Sequence, residues 1–248
     1  MRQFFRHLRS LAVFSLLCLV LGWSFPAQAT SDINPQLEQQ VLQILREHPE
    51  VIIESVQRYQ QKQQQKLNQV RQAFLADLKT NPQAVIGESP SIGSAESKIL
   101  LVEFSDFQCP YCADAHTTLK QLLAKHPNQL RLVYKNLPLV SIHAEALPAA
   151  KAAWAANLQG KFWQYHDALF TNQKQLGEDL YIATAKSLNL DLQKFNTDRN
   201  LADTAISKDI QLAAKIGIAG TPFFVISSKI LSGVVQLSDI ENILANPQ

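Results

Sequence analysis

A short apolar run followed by helical periodicity marks the middle of the chain. Residues Ile99 to Val102 are consecutive apolar residues, as expected of a strand buried on both faces. Leucines then recur at helical spacing over residues 119–123, and Pro127 ends that helix. A second strand-like run extends from Leu130 to Lys135. The pattern predicts a strand, a turn, a helix and a strand in that order.

The carboxy-terminal half is helical in pattern before it returns to strands. Between Ser141 and Ile216 the periodicity predicts four helices. Pro222 to Ile226 predicts a strand, which a turn joins to a short hairpin partner at Ile230 and Leu231. The chain is therefore of the α/β class. The predicted helices cover residues 144–158, 162–170, 179–188, 201–216 and, at the end, 237–244.

The amino-terminal part, residues 30–80, has a narrow apolar stripe and many glutamines. Apolar residues at 37, 41, 44 and 45 predict a short amphipathic helix, and Pro49 begins a second helix of about 30 residues. A helix of this length with a narrow stripe commonly packs against another helix, most simply its own copy. We therefore predict an oligomerisation arm, with a glutamine-rich flexible linker at 60–66 and an arm folded back on its own chain as the alternatives.

Residues 1–29 have the three parts of an export signal. Arginines at 2, 6 and 9 precede an apolar core from Leu11 to Leu21, and Ala27-Gln28-Ala29 is a cleavage site of small residues. A retained membrane anchor is the alternative, although the apolar run is shorter than the roughly 20 residues that span a bilayer. Removal of the segment lowers the formal net charge from +2 to −1, since it carries three arginines and no acidic residue. No basic surface for nucleic acid is then expected.

Residues 81–97 form a turn-rich linker, with prolines at 82 and 90 and glycines at 87 and 93. Ala84 to Ile86 is a candidate edge strand within it.

Cys109 and Cys112 carry the clearest chemistry of the chain. They stand where the predicted strand gives way to a helix, and the free N–H groups of a first helical turn stabilise a thiolate. The usual thiol pKa of about 8.5 falls to roughly 3.5–7.5 in such motifs. Cys109 is then the nucleophile and Cys112 the resolving thiol. A structural disulfide is the alternative, whereas a c-type haem would need His at Ala113 and a four-cysteine zinc site would need a second pair.

The segment from Val102 to Cys112, VEFSDFQCPYC, closely resembles the active site of the DsbA-like branch of the thioredoxin superfamily. A second matching element, GIAGTPFFV, spans residues 217–225. The resemblance implies a thioredoxin-fold catalytic domain at 98–248 with a helical insertion at 141–216. It also implies that the Thr221–Pro222 bond is cis and faces the cysteines. Pro110, Tyr111, Thr221 and Pro222 would bind the substrate.

The amino-terminal segment resembles that of the suppressor-of-copper-sensitivity C (ScsC) proteins. The similarity is carried by LEQQVL at residues 37–42 and HPEVIIES at residues 48–55. In that family the segment mediates oligomerisation, which agrees with the prediction of a homo-oligomer through residues 32–80.

Glu103 is a carboxylate within a strand that is otherwise apolar. Burial would raise its pKa by desolvation. In the DsbA-like family an acid at this position often assists proton transfer around the cysteines, and an ion pair with Lys135 is the alternative.

The resemblance implies a thiol-disulfide oxidoreductase, and the predicted signal would export it to the periplasm or another extracytoplasmic compartment. No cofactor and no metal are expected. The partners would be unfolded or misoxidised extracytoplasmic proteins and a membrane redox protein that resets the cysteine pair. Oxidase and isomerase activities are both compatible with the motifs. The alternative functions are Cu(I) handling by the same cysteines, as soft ligands, and an oligomeric holdase.

Overall fold

The computed structural model describes residues 34–97, 99–226, 229–232 and 237–245. The predicted export signal lies outside these residues. The chain divides into two units, with the boundary between Tyr59 and Gln60. We call them the amino-terminal unit and the core unit. Among the described residues, no helix combines the length and the hydropathy that crossing a membrane requires.

From residue 34 onward, the amino-terminal unit contains helix α1 (Pro35–Glu47) and the first part of α2 (Pro49–Thr80). Asn34 caps α1, because its side-chain oxygen accepts a hydrogen bond of 3.0 Å from the Gln36 amide. No described residue from 34 to 59 is buried. The glutamine-rich residues 60–66 lie within the continuous helix α2, so they do not form a flexible linker.

The core unit is built on a five-stranded sheet in the order β1-β3-β2-β4-β5. Strands β2 and β3 are parallel, and the other three pairings are antiparallel. The central strand β2 is buried along its whole length, as its apolar sequence predicts. The strands are β1 (Ser91–Gly93), β2 (Ile99–Ser105), β3 (Leu130–Asn136), β4 (Phe223–Ile226) and β5 (Lys229–Ser232).

Alternating residues of β2 face two different apolar layers. Leu100, Val102 and Phe104 pack in one layer with Phe74 and Leu78 of α2. This layer also includes helix α3 (Pro82–Ile86), through Val85 and Ile86, and helix α9 (Asp203–Lys215), through Ala213. The part of α2 that follows residue 60 therefore belongs to the core unit.

The opposite layer contains Ile99 and Leu101 of β2. Helix α4 (Pro110–Lys125) contributes Leu119 and Leu122, and helix α10 (Leu237–Ala245) contributes Ile240 and Leu244. Because α4 starts at the cysteine pair, this layer fixes the position of the reactive turn against the sheet.

The helices between β3 and β4 form the predicted insertion, with one helix more than predicted. The helix at Leu192–Leu201, α8, was missed, because its sequence is mostly polar and only Phe195 and Asp198 are buried. Helix α9 differs from the rest, since its Ala213 packs in the layer that covers the sheet. The insertion comprises α5 (Ala146–Asn157), α6 (Phe162–Thr171), a 3-10 turn (Gln173–Gln175), α7 (Glu178–Ser187), α8 (Leu192–Leu201) and α9.

The prediction of an edge strand at Ala84–Ile86 was wrong. These residues lie in α3, where Pro82 occupies the first turn and needs no N–H partner. The edge strand is β1, which pairs with β3 in the register Ser91 opposite Val133. At Gly93, φ is +103° and a Cβ would lie 2.2 Å from the Leu130 carbonyl oxygen, so glycine is required there.

Candidate active site

The two cysteines lie at the start of α4, directly after the turn that follows β2. Cys109 is the N-cap residue and Pro110 is the first helical residue. The Cys109 carbonyl accepts hydrogen bonds from the amides of Cys112, at 3.0 Å, and Ala113, at 3.3 Å. Both residues are free thiols. Cys109 retains 4% of its accessible surface and Cys112 retains none, so Cys109 is the outer thiol.

The surroundings shift the pKa values of the two thiols in opposite directions. A hydrogen bond from the Cys112 thiol lowers the pKa of Cys109 to about 5; burial opposes this shift, and a hydrogen bond with Thr221 assists it. Burial raises the pKa of Cys112 well above that of a free thiol, and the Cys109 sulfur and the charge of Glu103 raise it further. At neutral pH the thiolate therefore resides on Cys109, as the sequence motif predicts.

Thr221 and Pro222 face the cysteine pair. The Thr221–Pro222 peptide bond is cis, as the sequence resemblance implies. Cys109 Sγ lies 3.5 Å from the Thr221 carbonyl oxygen, although 112 residues separate them in the chain. Pro222 is buried and Thr221 is half-buried, and β4 begins immediately afterwards. The loop before β4 therefore forms one wall of the site.

Pro110 and Tyr111 lie on the outer side of the turn. Pro110 is exposed, and Tyr111 has 58% of its surface exposed. A second exposed apolar pair, Val140 and Ile142, belongs to the loop after β3. This loop is attached to the reactive turn, because the Leu139 amide donates to Asp106 Oδ2 at 3.0 Å. Tyr111 thus offers exposed apolar surface in the turn that carries the cysteines.

Two residues that the sequence analysis did not assign to the site hold the reactive turn in place. Asp106 is buried and accepts from the Gln108 amide at 2.8 Å and from His143 Nδ1 at 2.7 Å. Gln173 Nε2 donates to the carbonyl oxygens of Phe107 and Cys109, both at 2.8 Å. Asp106 lies within the cysteine motif VEFSDFQCPYC, and that position is a signal for a role in the site. No sequence signal distinguishes Gln173 from the other glutamines.

Glu103 lies on the same face of β2 as Leu101, beneath α4. Its side chain is buried, and neither carboxylate oxygen forms a hydrogen bond of normal geometry within the described residues. Burial raises the pKa of Glu103 to about 7, with the Ser105 hydroxyl acting in the opposite direction. Tyr134 is its neighbour in the parallel register, and burial raises the pKa of this phenol well above its usual value.

The alternative role of Glu103, an ion pair with Lys135, was wrong. In the parallel register Lys135 stands opposite Phe104, on the other face of the sheet. Lys135 Nζ instead lies 3.1 Å from Asp209 Oδ1 and donates to Ser89 at 2.7 Å. The alternation of side chains along each strand does not show which residues stand opposite one another, because the register of β2 against β3 is set by the tertiary fold.

Comparison with known proteins places this fold and site in a class. The thioredoxin family model (Thioredoxin_4) matches residues 86–246. The structure of a thioredoxin-like oxidoreductase from Silicibacter pomeroyi is 30% identical and superimposes with a TM-score of 0.61, covering 67% of this chain and 96% of that one. The catalytic domain of Proteus mirabilis ScsC is 26% identical, with a TM-score of 0.60 and coverage of 69% and 96%. These findings define the class as thioredoxin-fold oxidoreductases.

The chain belongs to the thioredoxin family. A curated relative, the Na(+)/H(+) antiporter NhaA 1 of Salinispora arenicola, is 37% identical over 141 residues, or 55% of this chain. The matched region is 21% of that relative, so the chain spans about a fifth of the length of the curated relatives it matches. The similarity therefore concerns one region of a longer protein.

Proposed function

We propose that this protein is an exported thiol-disulfide oxidoreductase that forms or isomerises disulfide bonds through Cys109 and Cys112. The observation that carries the proposal is the asymmetry of the pair. Cys109 is the outer thiol, has a pKa of about 5 and lies 3.5 Å from the Thr221 carbonyl, whereas Cys112 is fully buried behind it. A pair of this kind suits attack at one sulfur and resolution by the other.

The oxidation of a substrate proceeds in two exchange steps. A substrate thiolate attacks Cys109 Sγ of the oxidised pair, which forms a mixed disulfide and releases Cys112 as a thiolate. Because the pKa of Cys112 is strongly raised, this thiolate takes up a proton. A second substrate thiolate then attacks the substrate sulfur of the mixed disulfide and releases the Cys109 thiolate. The substrate gains a disulfide, and the cysteine pair gains two electrons.

Glu103 is the proposed proton carrier for Cys112. Burial places its pKa near neutrality, so the carboxyl group exchanges protons in the physiological range. Its charge acts on the Cys112 thiol, which supports a position close to that sulfur. When Cys112 leaves the disulfide as a thiolate, a protonated Glu103 can donate its proton to that sulfur, so that one buried negative charge remains instead of two.

The proposed substrate surface combines backbone pairing with an apolar rim. The backbone around Thr221 and Pro222 lies beside Cys109 and would pair with an extended peptide as an added strand. Pro110 and the exposed Tyr111 would contact side chains of that peptide. Such a surface accepts varied unfolded sequences, because main-chain pairing does not depend on side-chain identity.

The proposed oligomer forms through the amino-terminal unit, with a second copy of this chain as the partner. The described residues of this unit, 34–59, include apolar side chains that are at least 42% exposed, and none of these residues is buried in a core. Their helical spacing on α1 and α2 suits helix packing. Several active sites on one assembly would favour isomerase over oxidase activity. The exposed residues are Leu37, Val41, Leu42, Ile44, Val51, Ile52, Ile53, Val56 and Tyr59.

A membrane redox partner would reset the pair after each cycle, since oxidation of a substrate leaves Cys109 and Cys112 reduced. The export signal predicted at residues 1–29 supports an extracytoplasmic location. Disulfides form and persist in such compartments.

Refolding of a scrambled-disulfide substrate tests the proposal. The assay compares the wild-type protein, Cys109→Ala, the assembly variant Ile52→Asp/Val56→Asp and the matched polar control Gln57→Asp/Gln61→Asp. An isomerase requires that wild type and control unscramble the substrate while the assembly variant only oxidises thiols. An oxidase requires equal thiol oxidation by all except Cys109→Ala, with no unscrambling. Activity of Cys109→Ala equal to wild type would refute the redox proposal.

A Cu(I) titration distinguishes the alternative function, Cu(I) handling by the same cysteines, from disulfide exchange. The hydrogen bond between the two thiols places two soft ligands together, as Cu(I) handling requires. Tight Cu(I) binding without disulfide exchange would replace the oxidoreductase proposal with a copper-handling one.

A further inference from the structure

Three potential metal ligands meet where α4 packs against α6. His116 Nε2 lies 2.8 Å from Asp167 Oδ1, and His166 Nδ1 lies 3.4 Å from the same oxygen. The three donor atoms all lie within 4.8 Å of one another. His116 belongs to α4, and the other two are consecutive residues of α6. The packing of the two helices therefore creates the cluster.

His166 is the buried member of the cluster, and its Nδ1 atom is the one that faces Asp167. Its side chain is 4% exposed, and its Nε2 atom has no hydrogen-bond partner among the described residues. The ring is enclosed by six other rings with centroids 4.9–5.7 Å away. These rings hold the imidazole in place with Nδ1 toward Asp167.

The dimensions suit a small transition-metal ion. Zinc binds nitrogen and oxygen donors at about 2.0–2.2 Å, so tetrahedral donors stand roughly 3.4 Å apart. The two separations that end on Asp167 Oδ1 are 2.8 and 3.4 Å, and all three donors lie within 4.8 Å of one another, so the side chains must adjust to share one ion. A cavity of about 150 Å³ borders the cluster and leaves room for a fourth ligand such as water. Its other lining residues are Ile92, Leu119, Lys120, Leu123, Leu132 and Trp163.

We propose that His116, His166 and Asp167 bind a divalent transition-metal ion, with zinc as the best match, and leave a fourth position open toward this cavity. Two imidazoles and one carboxylate favour zinc over magnesium or calcium, which prefer oxygen ligands alone. The site shares no ligand with the cysteine pair and does not depend on the proposed redox function. A bound ion would join α4, which carries the cysteines at its start, to the insertion helix α6.

Lys120 makes the proposal more specific. Its Nζ lies 2.8 Å from Asp167 Oδ2, the oxygen that does not face the histidines. This contact orients the carboxylate, but it also places a positive charge beside the metal position. Removal of that charge should therefore tighten metal binding. If the three side chains only form hydrogen bonds with one another, neither the wild-type protein nor the variant should bind metal.

Zinc calorimetry and cobalt absorption spectroscopy test the site in the full protein, prepared without a histidine tag. The Cys109→Ser/Cys112→Ser background removes thiolate competition. We expect one equivalent of Zn²⁺ to bind, and Co²⁺ to give tetrahedral visible bands without thiolate charge-transfer absorption. His116→Gln and Asp167→Asn, both at partly exposed positions, should weaken binding at least about tenfold. His126→Gln, on the residue that caps the end of α4, should bind as the background does.

Lys120→Met should tighten Zn²⁺ binding several-fold, and Zn²⁺ should raise the thermal midpoint of the background but not of His116→Gln. Absence of Zn²⁺ and Co²⁺ binding at micromolar concentrations would overturn the proposal. So would binding that persists unchanged in both ligand variants.

Discussion

The two units of the chain distribute polar and apolar side chains in opposite ways. In the amino-terminal unit, large apolar residues such as Val41 and Ile52 are exposed and no described residue is buried. In the core unit, apolar residues are buried and ionisable side chains such as Glu103 and Asp209 are buried with them. The first arrangement leaves apolar surface for a partner, and the second concentrates chemistry in the interior.

The buried polar groups of the core unit themselves fall into two kinds. Asp106 and the Lys135–Asp209 pair have hydrogen-bond partners. Asp106 holds the loop after β3, and the Lys135–Asp209 pair joins β3 to α9. Glu103 and the Tyr134 hydroxyl have no such partners among the described residues, and the charge of Glu103 acts on Cys112. Buried groups without partners reduce stability, and their concentration behind a reactive thiol indicates a functional role.

The largest expected effect concerns the contrast between the two cysteines within the core unit. Because the pKa of Cys109 is about 5, its alkylation by iodoacetamide should rise through pH 5 and level off by pH 7. Cys112 should react at least about a hundredfold more slowly at pH 6. Mass spectrometry of each labelled residue provides the measurement, with Cys109→Ser as the control. A midpoint for Cys109 near that of a free thiol would contradict the site described above.

Leucine truncation tests the contrast between the units themselves. Leu101 is fully buried in the sheet, so Leu101→Ala should lower the free energy of unfolding by about 3–4 kcal/mol. Leu42 is 42% exposed, and Leu42→Ala should change the free energy of unfolding by less than about 0.5 kcal/mol at low protein concentration. Urea unfolding at two protein concentrations measures both. If the amino-terminal unit mediates assembly, only the Leu42→Ala effect should grow with concentration.

Glu103→Gln should stabilise the protein in a pH-dependent way. A buried carboxyl with a pKa of about 7 favours the folded state while protonated, and this contribution is lost as the pH rises through 7. The neutral glutamine avoids that loss, so it should add up to about 3 kcal/mol at pH 8 and little at pH 4. Urea unfolding of the reduced protein provides the measurement. The exposed Glu88→Gln is the control, and an equal gain at both pH values would show that Glu103 does not titrate as described.

The smallest expected effect is that of Gln173→Ala, which removes the donor to the Phe107 and Cys109 carbonyls. Loss of these two hydrogen bonds should cost about 1–2 kcal/mol of unfolding free energy. Hydrogen exchange at the Cys112 and Ala113 amides should accelerate, because the turn loosens. The exposed Gln193→Ala should leave both quantities unchanged. Equal behaviour of the two variants would show that Gln173 does not hold the turn.

The sequence by itself determined the local architecture around the cysteines. The apolar run of β2, Pro110 at the start of α4 and the leucine spacing of that helix each act over a few residues, so the pattern predicts them correctly. The two motifs, VEFSDFQCPYC and GIAGTPFFV, were specific enough to predict the fold and the cis bond at Pro222. The continuous helix α2 followed from its composition and stripe.

Only the tertiary structure decided which distant groups meet. The register of β2 against β3 places Glu103 beside Tyr134 and sends Lys135 to the opposite face. Packing of α4 on α6 brings His116 to Asp167 across 51 residues, and Gln173 reaches Cys109 across 64. Such contacts depend on register and packing between elements, which hydrophobic periodicity along one element does not encode. Periodicity determines which face of an element is buried, whereas its partner is determined by how the whole chain packs.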